Sequence, residues 1–156
     1  MRKISAALIL DIFQNPTTAL GLKDDAWQVI ILVLRKHQLL ARVSHRFRQF
    51  GVFDDLSQYA KHHLVNAEIL AEKQNHQVAF EANELRLITK DISNHAVFLK
   101  GAGYALAGHK VGLGRTYSDI DLLVNKNAIG DVERRLVLQL WFAKQQSNYD
   151  ENYYRK

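Results

Sequence analysis

Between Leu56 and Ile92 an apolar residue returns every three or four positions: Leu56, Ala60, Leu64, Ala67, Leu70, Ala71, Val78, Leu85, Ile88 and Ile92. That spacing marks one face of a helix. Opened by Asp54 or Asp55 and carried to about Ser93, the segment would approach roughly 60 Å in length, with Asn75-His76 as the place for a break. No other feature constrains the fold as strongly.

The rest of the first ninety or so residues follows suit. Ile4, Leu8, Ile12 and Phe13 form an apolar stripe that ends before the turn signal Asn15-Pro16. Asp24 or Asp25 is placed to cap a second helix running to about His37, with Trp27, Ile30, Ile31 and Leu34 on its apolar face. A third helix is predicted from Leu39 to Phe50, stopping at Gly51, where a left-handed cap costs glycine little.

The texture changes at Ala96. Val97-Phe98-Leu99 is a short β-type run ending in Lys100-Gly101, followed by a small-residue helix from Ala102 to about Ala107. A glycine-rich loop (Gly108, Gly112, Gly114) leads to a strand predicted over Ile120 to Val124. Asn125 or Asn127 would cap a last helix from about Ala128 to Phe142, with Val132, Leu136, Leu140 and Trp141 apolar, before a polar and aromatic tail from Tyr149. The expected class is α+β: a helical region over 1–94, then a small sheet flanked by helices that begins at residue 95. Two strands and a helix do not make a stable sheet, so the sheet looks incomplete and is expected to continue beyond Lys156.

Composition narrows the function. The chain has 156 residues and no Cys, so it carries neither a disulfide framework nor a thiolate metal site. Met1 to Leu10 briefly imitates a signal peptide, but Asp11 interrupts it and no small-residue cleavage site follows. Nothing reaches the roughly 20 apolar residues of a membrane span; a cytoplasmic, membrane-free protein is expected. The net charge of +5 is concentrated locally, since Arg35 to Arg48 holds five basic residues (Arg35, Lys36, Arg42, Arg46, Arg48), two histidines and no acid. A solvated helix face explains that run most simply; phosphate or nucleic-acid contact is the alternative, although the segment lacks interleaved aromatics or glycines.

The chemistry points to Arg115-Thr116-Tyr117-Ser118-Asp119-Ile120-Asp121-Leu122-Leu123-Val124. Residues i and i+2 of a strand share a face, so Asp119 and Asp121 are placed to share a divalent cation while Ile120 and Leu122 turn to a core. Asp is disfavoured in strands, and metal binding supplies a reason for two of them. Upstream, Lys100-Gly101-Ala102 sits where a strand becomes a helix, a place suited to holding an anion. Arg115 and Ser118 add a fixed cation and a hydroxyl. Cation, anion cradle and paired carboxylates are what phosphoryl or nucleotidyl transfer requires.

Leu99-Lys100-Gly101-Ala102 followed by Arg115-x-x-Ser118-Asp119-Ile120-Asp121-Leu122-Leu123-Val124 resembles the polymerase-β-type nucleotidyltransferase superfamily. The nearest likeness is to its bacterial branch of largely uncharacterised proteins, related to abortive-infection-type toxins with a Lys-Gly-Gly turn and an Arg-x-Ser-x-Asp-x-Asp run. Trp27, Arg35-Lys36-His37 and the basic helix after them are similar to that branch as well. The resemblance implies that Asp119 and Asp121 are catalytic and ligate Mg²⁺ (or Mn²⁺). Gly101 and the Ala102 N–H would contact phosphate oxygens, Arg115 and Ser118 would orient them, and Lys100 would assist. It implies an NTP donor, ATP foremost, and an acceptor hydroxyl, with RNA or protein among the candidates. An oligomer is open, because an unfinished sheet edge can pair with another chain.

Two departures accompany the likeness. Ala102 stands where the family has Ser or Gly, and the family's third carboxylate has no counterpart on a later strand. It is expected beyond Lys156, since Asp131 and Glu133 fall on a predicted helix and Asp150-Glu151 in the tail. The rival is a non-catalytic module whose core binds nucleotide while its helices serve association with protein or nucleic acid. Other motifs fail. No Gly-Lys-Ser/Thr follows the glycine-rich loop, so it is not a P-loop. The histidines are ill spaced for zinc: His62 and His63 are adjacent, while His37, His45 and His95 are expected to end helices or pack. Trp27 and Trp141 are expected in the core.

Overall fold

The computed structural model describes residues 6–92 and 96–142. Helix α1 (Ala6–Gln14), a 3₁₀ turn at Pro16–Gly21, α2 (Asp24–Lys36), α3 (Leu40–Gln49), a 3₁₀ turn at Phe53–Asp55 and α4 (Gln58–Thr89) make up the front of the chain. Strand β1 (Val97–Phe98), α5 (Lys100–Leu106), a 3₁₀ turn at Lys110–Gly112, β2 (Leu122–Leu123), a 3₁₀ turn at Lys126–Ala128 and α6 (Ile129–Leu138) follow. The fold is α+β, as the sequence indicates. Among the described residues no helix is long and apolar enough to cross a membrane.

Helix α4 is the spine. Its 32 residues run unbroken through Asn75-His76, about 48 Å at 1.5 Å per residue, so the expected break is absent. Neither Asp54 nor Asp55 opens it. They lie in the 3₁₀ turn, and the Ser57 hydroxyl caps the helix by accepting the Ala60 N–H at 3.2 Å. Most of the apolar stripe is buried as expected, but Leu70 is exposed and Ala82 is buried in its stead. The first half of α4 closes the main core with α1, α2 and α3 around Ile12, Trp27, Ile30, Leu34, Phe47 and Leu64. Trp27 is fully buried and meets Phe47 edge to face, ring centroids 6.0 Å apart. The second half of α4 carries α5 and α6.

Local chemistry sets the helix ends. The N-cap of α2 is Lys23, and Asp24 and Asp25 occupy the first turn, favourably placed at its positive end. Helix α3 stops where expected, with Gly51 at φ +68°.

The back of the chain departs more from expectation. Strand β2 is two residues long instead of spanning Ile120 to Val124, and it pairs antiparallel with β1 through Val97↔Leu123 and Phe98↔Leu122. Asp119 and Asp121 therefore lie in the extended approach to the strand, and Ile120 and Leu122 are only half-buried. Two residue pairs offer no sheet face broad enough to bury them. Helix α5 starts two residues early, at Lys100. Helix α6 stops at Leu138, short of Phe142, and Trp141 is exposed beside the exposed Leu140 and Phe142. Its core assignment fails because no described element covers that end of α6. Ile4, His95 and the tail from Tyr149 lie outside the described residues.

Candidate nucleotide site

The two motifs meet at Asp121. Leu99, extended at the end of β1, donates its N–H to the Asp121 carbonyl at 2.9 Å and accepts the Gly103 N–H at 3.2 Å as the N-cap of α5. The next residue, Lys100, turns into the left-handed region at φ +48° and places its Nζ 3.1 Å from Asp121 Oδ1. Asp121 is thus held by backbone at one end and by an ammonium at the other. Lys100 contacts the carboxylate that the resemblance makes a metal ligand. A non-glycine residue in the left-handed region costs about 1 kcal/mol or more, and such strain gathers at functional turns.

Gly101 follows as the floor of the turn. A Cβ there would lie 3.0 Å from Tyr117 Cδ1 and 3.3 Å from Arg115 Nε, so the Arg115 and Tyr117 side chains close directly over the glycine. Gly103 is tighter still, since its Cβ would meet the Phe98 carbonyl oxygen at 2.6 Å. Ala102 is buried. The N–H groups ahead of Gly103 have no intrahelical carbonyl to bond, by the geometry of any helix start. Asp119 is exposed and accepts the Ser118 hydroxyl at 3.0 Å.

The loop that carries Arg115 to Asp121 is stitched to the helical front. Arg42 Nη2 donates to the Val111 carbonyl at 2.6 Å, Thr116 Oγ1 to Gln38 Oε1 at 3.0 Å, and the Tyr117 N–H to Gln74 Oε1 at 3.1 Å. Burial pushes the Tyr117 phenol up, and the charges of Arg115 and Arg42 only partly offset that.

One face of α4 walls the site. Gln74, Gln77, Val78 and Glu81 line a cleft of about 190 Å³ with Tyr117, Ser118, Asp119 and Ile120. Gln77 Nε2 holds Glu81 Oε1 at 2.8 Å. Sequence reasoning missed this wall, and it gave Tyr117 no role. The signal was present in the i, i+3, i+7 spacing of Gln74, Gln77 and Glu81, but nothing local says that they face Ser118 and Asp119.

Lys100, Gly101, Ala102, Arg115 and Asp121 thus come together around one turn, and Ser118 and Asp119 sit beside it on the α4 cleft. Carboxylate and hydroxyl oxygens are the hard donors that Mg²⁺ or Mn²⁺ prefers, so the donor chemistry of Asp119, Asp121 and Ser118 fits such an ion. Among the described residues no group of three or more His, Asp or Glu is assembled to hold a metal. Asp131 and Glu133 lie on α6, and Asp150-Glu151 falls outside the described residues.

A strand-to-helix turn is thus bonded to the Asp-x-Asp approach, with Arg115 over it and Ser118 beside it. The family model described as uncharacterised nucleotidyltransferase matches residues 23–156, and the chain belongs to that family. No curated protein and no solved structure matches it.

Proposed function

We propose that this protein is a divalent-cation-dependent nucleotidyltransferase of the polymerase-β type, moving NMP from an NTP, ATP foremost, to an acceptor hydroxyl. The observation that carries this reading is the Leu99–Asp121 bond, which sets the Lys-Gly turn directly against Asp121, two residues from Asp119. The acceptor hydroxyl attacks the α-phosphorus and gives its proton to solvent, the bond from that phosphorus to the bridging oxygen breaks, and pyrophosphate departs with the electron pair. Asp119 and Asp121 would hold Mg²⁺ or Mn²⁺, which neutralises charge on the triphosphate when bound.

The chain's own residues do the positioning. Arg115 supplies a fixed cation over the turn, and the Gly101 and Ala102 N–H groups face phosphate oxygens. A side chain at residue 101 would press on Tyr117 and Arg115, so glycine lets both close over the turn without shifting. Lys100 pairs with one oxygen of the Asp121 carboxylate, and the other oxygen would serve a metal. Calorimetric titration of ATP with Mg²⁺ into the wild type and Asp119→Asn/Asp121→Asn tests the proposal. Metal-dependent binding is expected in the first and absent in the second; binding that survives the double substitution removes the reading.

The pairing of Asp121 with Lys100 and the two-carboxylate set favour a second reading, in which the same site binds nucleotide without transferring it. Mg²⁺-dependent binding without pyrophosphate release would select it.

A further inference from the structure

The fold treats the cations of the basic segment unequally. Arg48 is paired with Glu68 and stacks over Phe53 at 3.7 Å, and Arg35 reaches His63 Nδ1 at 3.4 Å. Arg42 and Arg46 instead enter a groove of about 360 Å³ between α3 and the glycine-rich loop. They line it with Phe13, His45, Gln49 and Lys110, and no carboxylate lines it. Backbone carbonyls hold both arginines: Arg42 on Val111 at 2.6 Å, and Arg46 Nε on Phe13 at 3.2 Å. Neither bond cancels a charge, and each guanidinium keeps most of its five donors.

Aromatic surface accompanies the charge. The Arg46 guanidinium lies 4.2 Å from the centroid of Phe50, whose ring is half exposed, and α1 brings Phe13 to the groove. The sequence around Arg42 lacks interleaved aromatics and glycines; the fold supplies Phe13 from α1 and the Gly112–Gly114 loop from the other end of the chain. His45 and Leu113 wall both this groove and a neighbouring cavity of about 370 Å³, which Arg115 also lines. The groove therefore borders the candidate site along the loop they share.

We propose that this groove docks single-stranded nucleic acid, with Arg42, Arg46 and Lys110 against its phosphates and Phe13 and Phe50 against its bases. A charged track with stacking platforms is the general solution for binding such strands without sequence preference. That the strand is the acceptor for transfer rests on the nucleotidyltransferase proposal; its docking does not.

Fluorescence anisotropy with a labelled, mixed-sequence single-stranded RNA of about 12 nucleotides tests it. Arg42→Gln/Arg46→Gln/Lys110→Gln removes all three cations from the phosphates. It should weaken binding by about tenfold or more and flatten the dependence of log Kd on log salt by about 2. Because both arginines also brace backbone, two further variants separate charge from fold. Lys110→Gln, at an exposed position, should flatten the slope by about 0.7, and Arg42→Lys/Arg46→Lys should retain the wild-type slope. An unchanged slope in the triple variant overturns the proposal. So does displacement of the RNA by inorganic triphosphate as efficient as by unlabelled RNA, which would make the groove a simple anion site. Asp119→Asn/Asp121→Asn should leave RNA affinity unchanged. Absence of Mg²⁺-dependent ATP binding in the wild type with RNA docking intact would sink the transferase reading alone, and the reverse would sink the groove alone.

Discussion

Gly114 rests on the backbone of Arg42: a Cβ at residue 114 would stand 2.8 Å from the Arg42 amide nitrogen and 2.9 Å from the Ala41 carbonyl carbon. Its φ of +67° lies in the left-handed region as well. This contact fixes the glycine-rich loop to α3, and hence the height at which Arg115 meets Gly101.

Gly114→Ala should therefore cost about 2–4 kcal/mol, combining left-handed strain with overpacking against atoms that cannot yield. Gly108→Ala is the control, because φ there is +61° but nothing stands within 4 Å of the added carbon. Its cost should be nearer 1 kcal/mol. Denaturant melts of the two variants check the difference; equal losses would mean that the loop is not clamped.

Lys100 carries a similar backbone strain on an exposed side chain. Lys100→Gly and Lys100→Ala both remove the Asp121 ion pair, itself worth at most about 1 kcal/mol at such exposure. Only glycine relieves φ +48°. The glycine variant should be the more stable by about 1 kcal/mol, read from paired chemical denaturation curves. No difference would assign the turn an ordinary backbone.

Acid should weaken the α3–α4 contact through Glu68. Burial pushes its carboxyl up, but the Arg48 hydrogen bonds at 2.8 and 3.0 Å, with the charges of Arg48 and His45, hold it below its ordinary value of 4.5. A depressed carboxyl contributes stability that is present above that ordinary value and is lost as pH falls through the folded one. Melting temperature measured from pH 7 down through that range should fall in the wild type and fall less steeply in Glu68→Gln. Parallel curves would show that Glu68 is not the group responsible.

Gly130 has an opposite expectation. It lies in α6, and a Cβ added there would meet open space. Gly130→Ala should stabilise the protein by about 0.5–1 kcal/mol through helix propensity. A loss of stability in thermal denaturation would indicate a neighbour on that face of α6.

What the sequence reveals here follows the range of the interactions involved. Helices α2 and α3 are readable because 3.6-residue periodicity and the Gly51 stop are local. The caps are less so: Asp24 and Asp54 look like N-caps, yet Lys23 takes the first place without a side-chain bond and the Ser57 hydroxyl takes the second. The strand over 120–124 is overdrawn because apolar content marks a strand without saying how many residues find a partner. Trp141 is misplaced for the same reason, as helical periodicity assumes something to pack against. Lys100, Gly101, Arg115 and the Asp pair are recoverable from spacing. The wall of Gln74, Gln77 and Glu81, and the groove of Phe13, Arg42 and Lys110, join segments far apart in the chain, and no local pattern encodes that apposition.

The continuity of α4 bears on the order in which the molecule assembles. The main core is closed by residues between Leu8 and Ala67, so its contacts are short in sequence and form early, during synthesis from the N-terminus. The remainder of the same helix then stands as a rigid template before the Lys-Gly turn and the Asp pair emerge. Leu99 and Asp121 would close their bond against a surface already made. A ladder of only two residue pairs suffices, because the helix has done the aligning in advance.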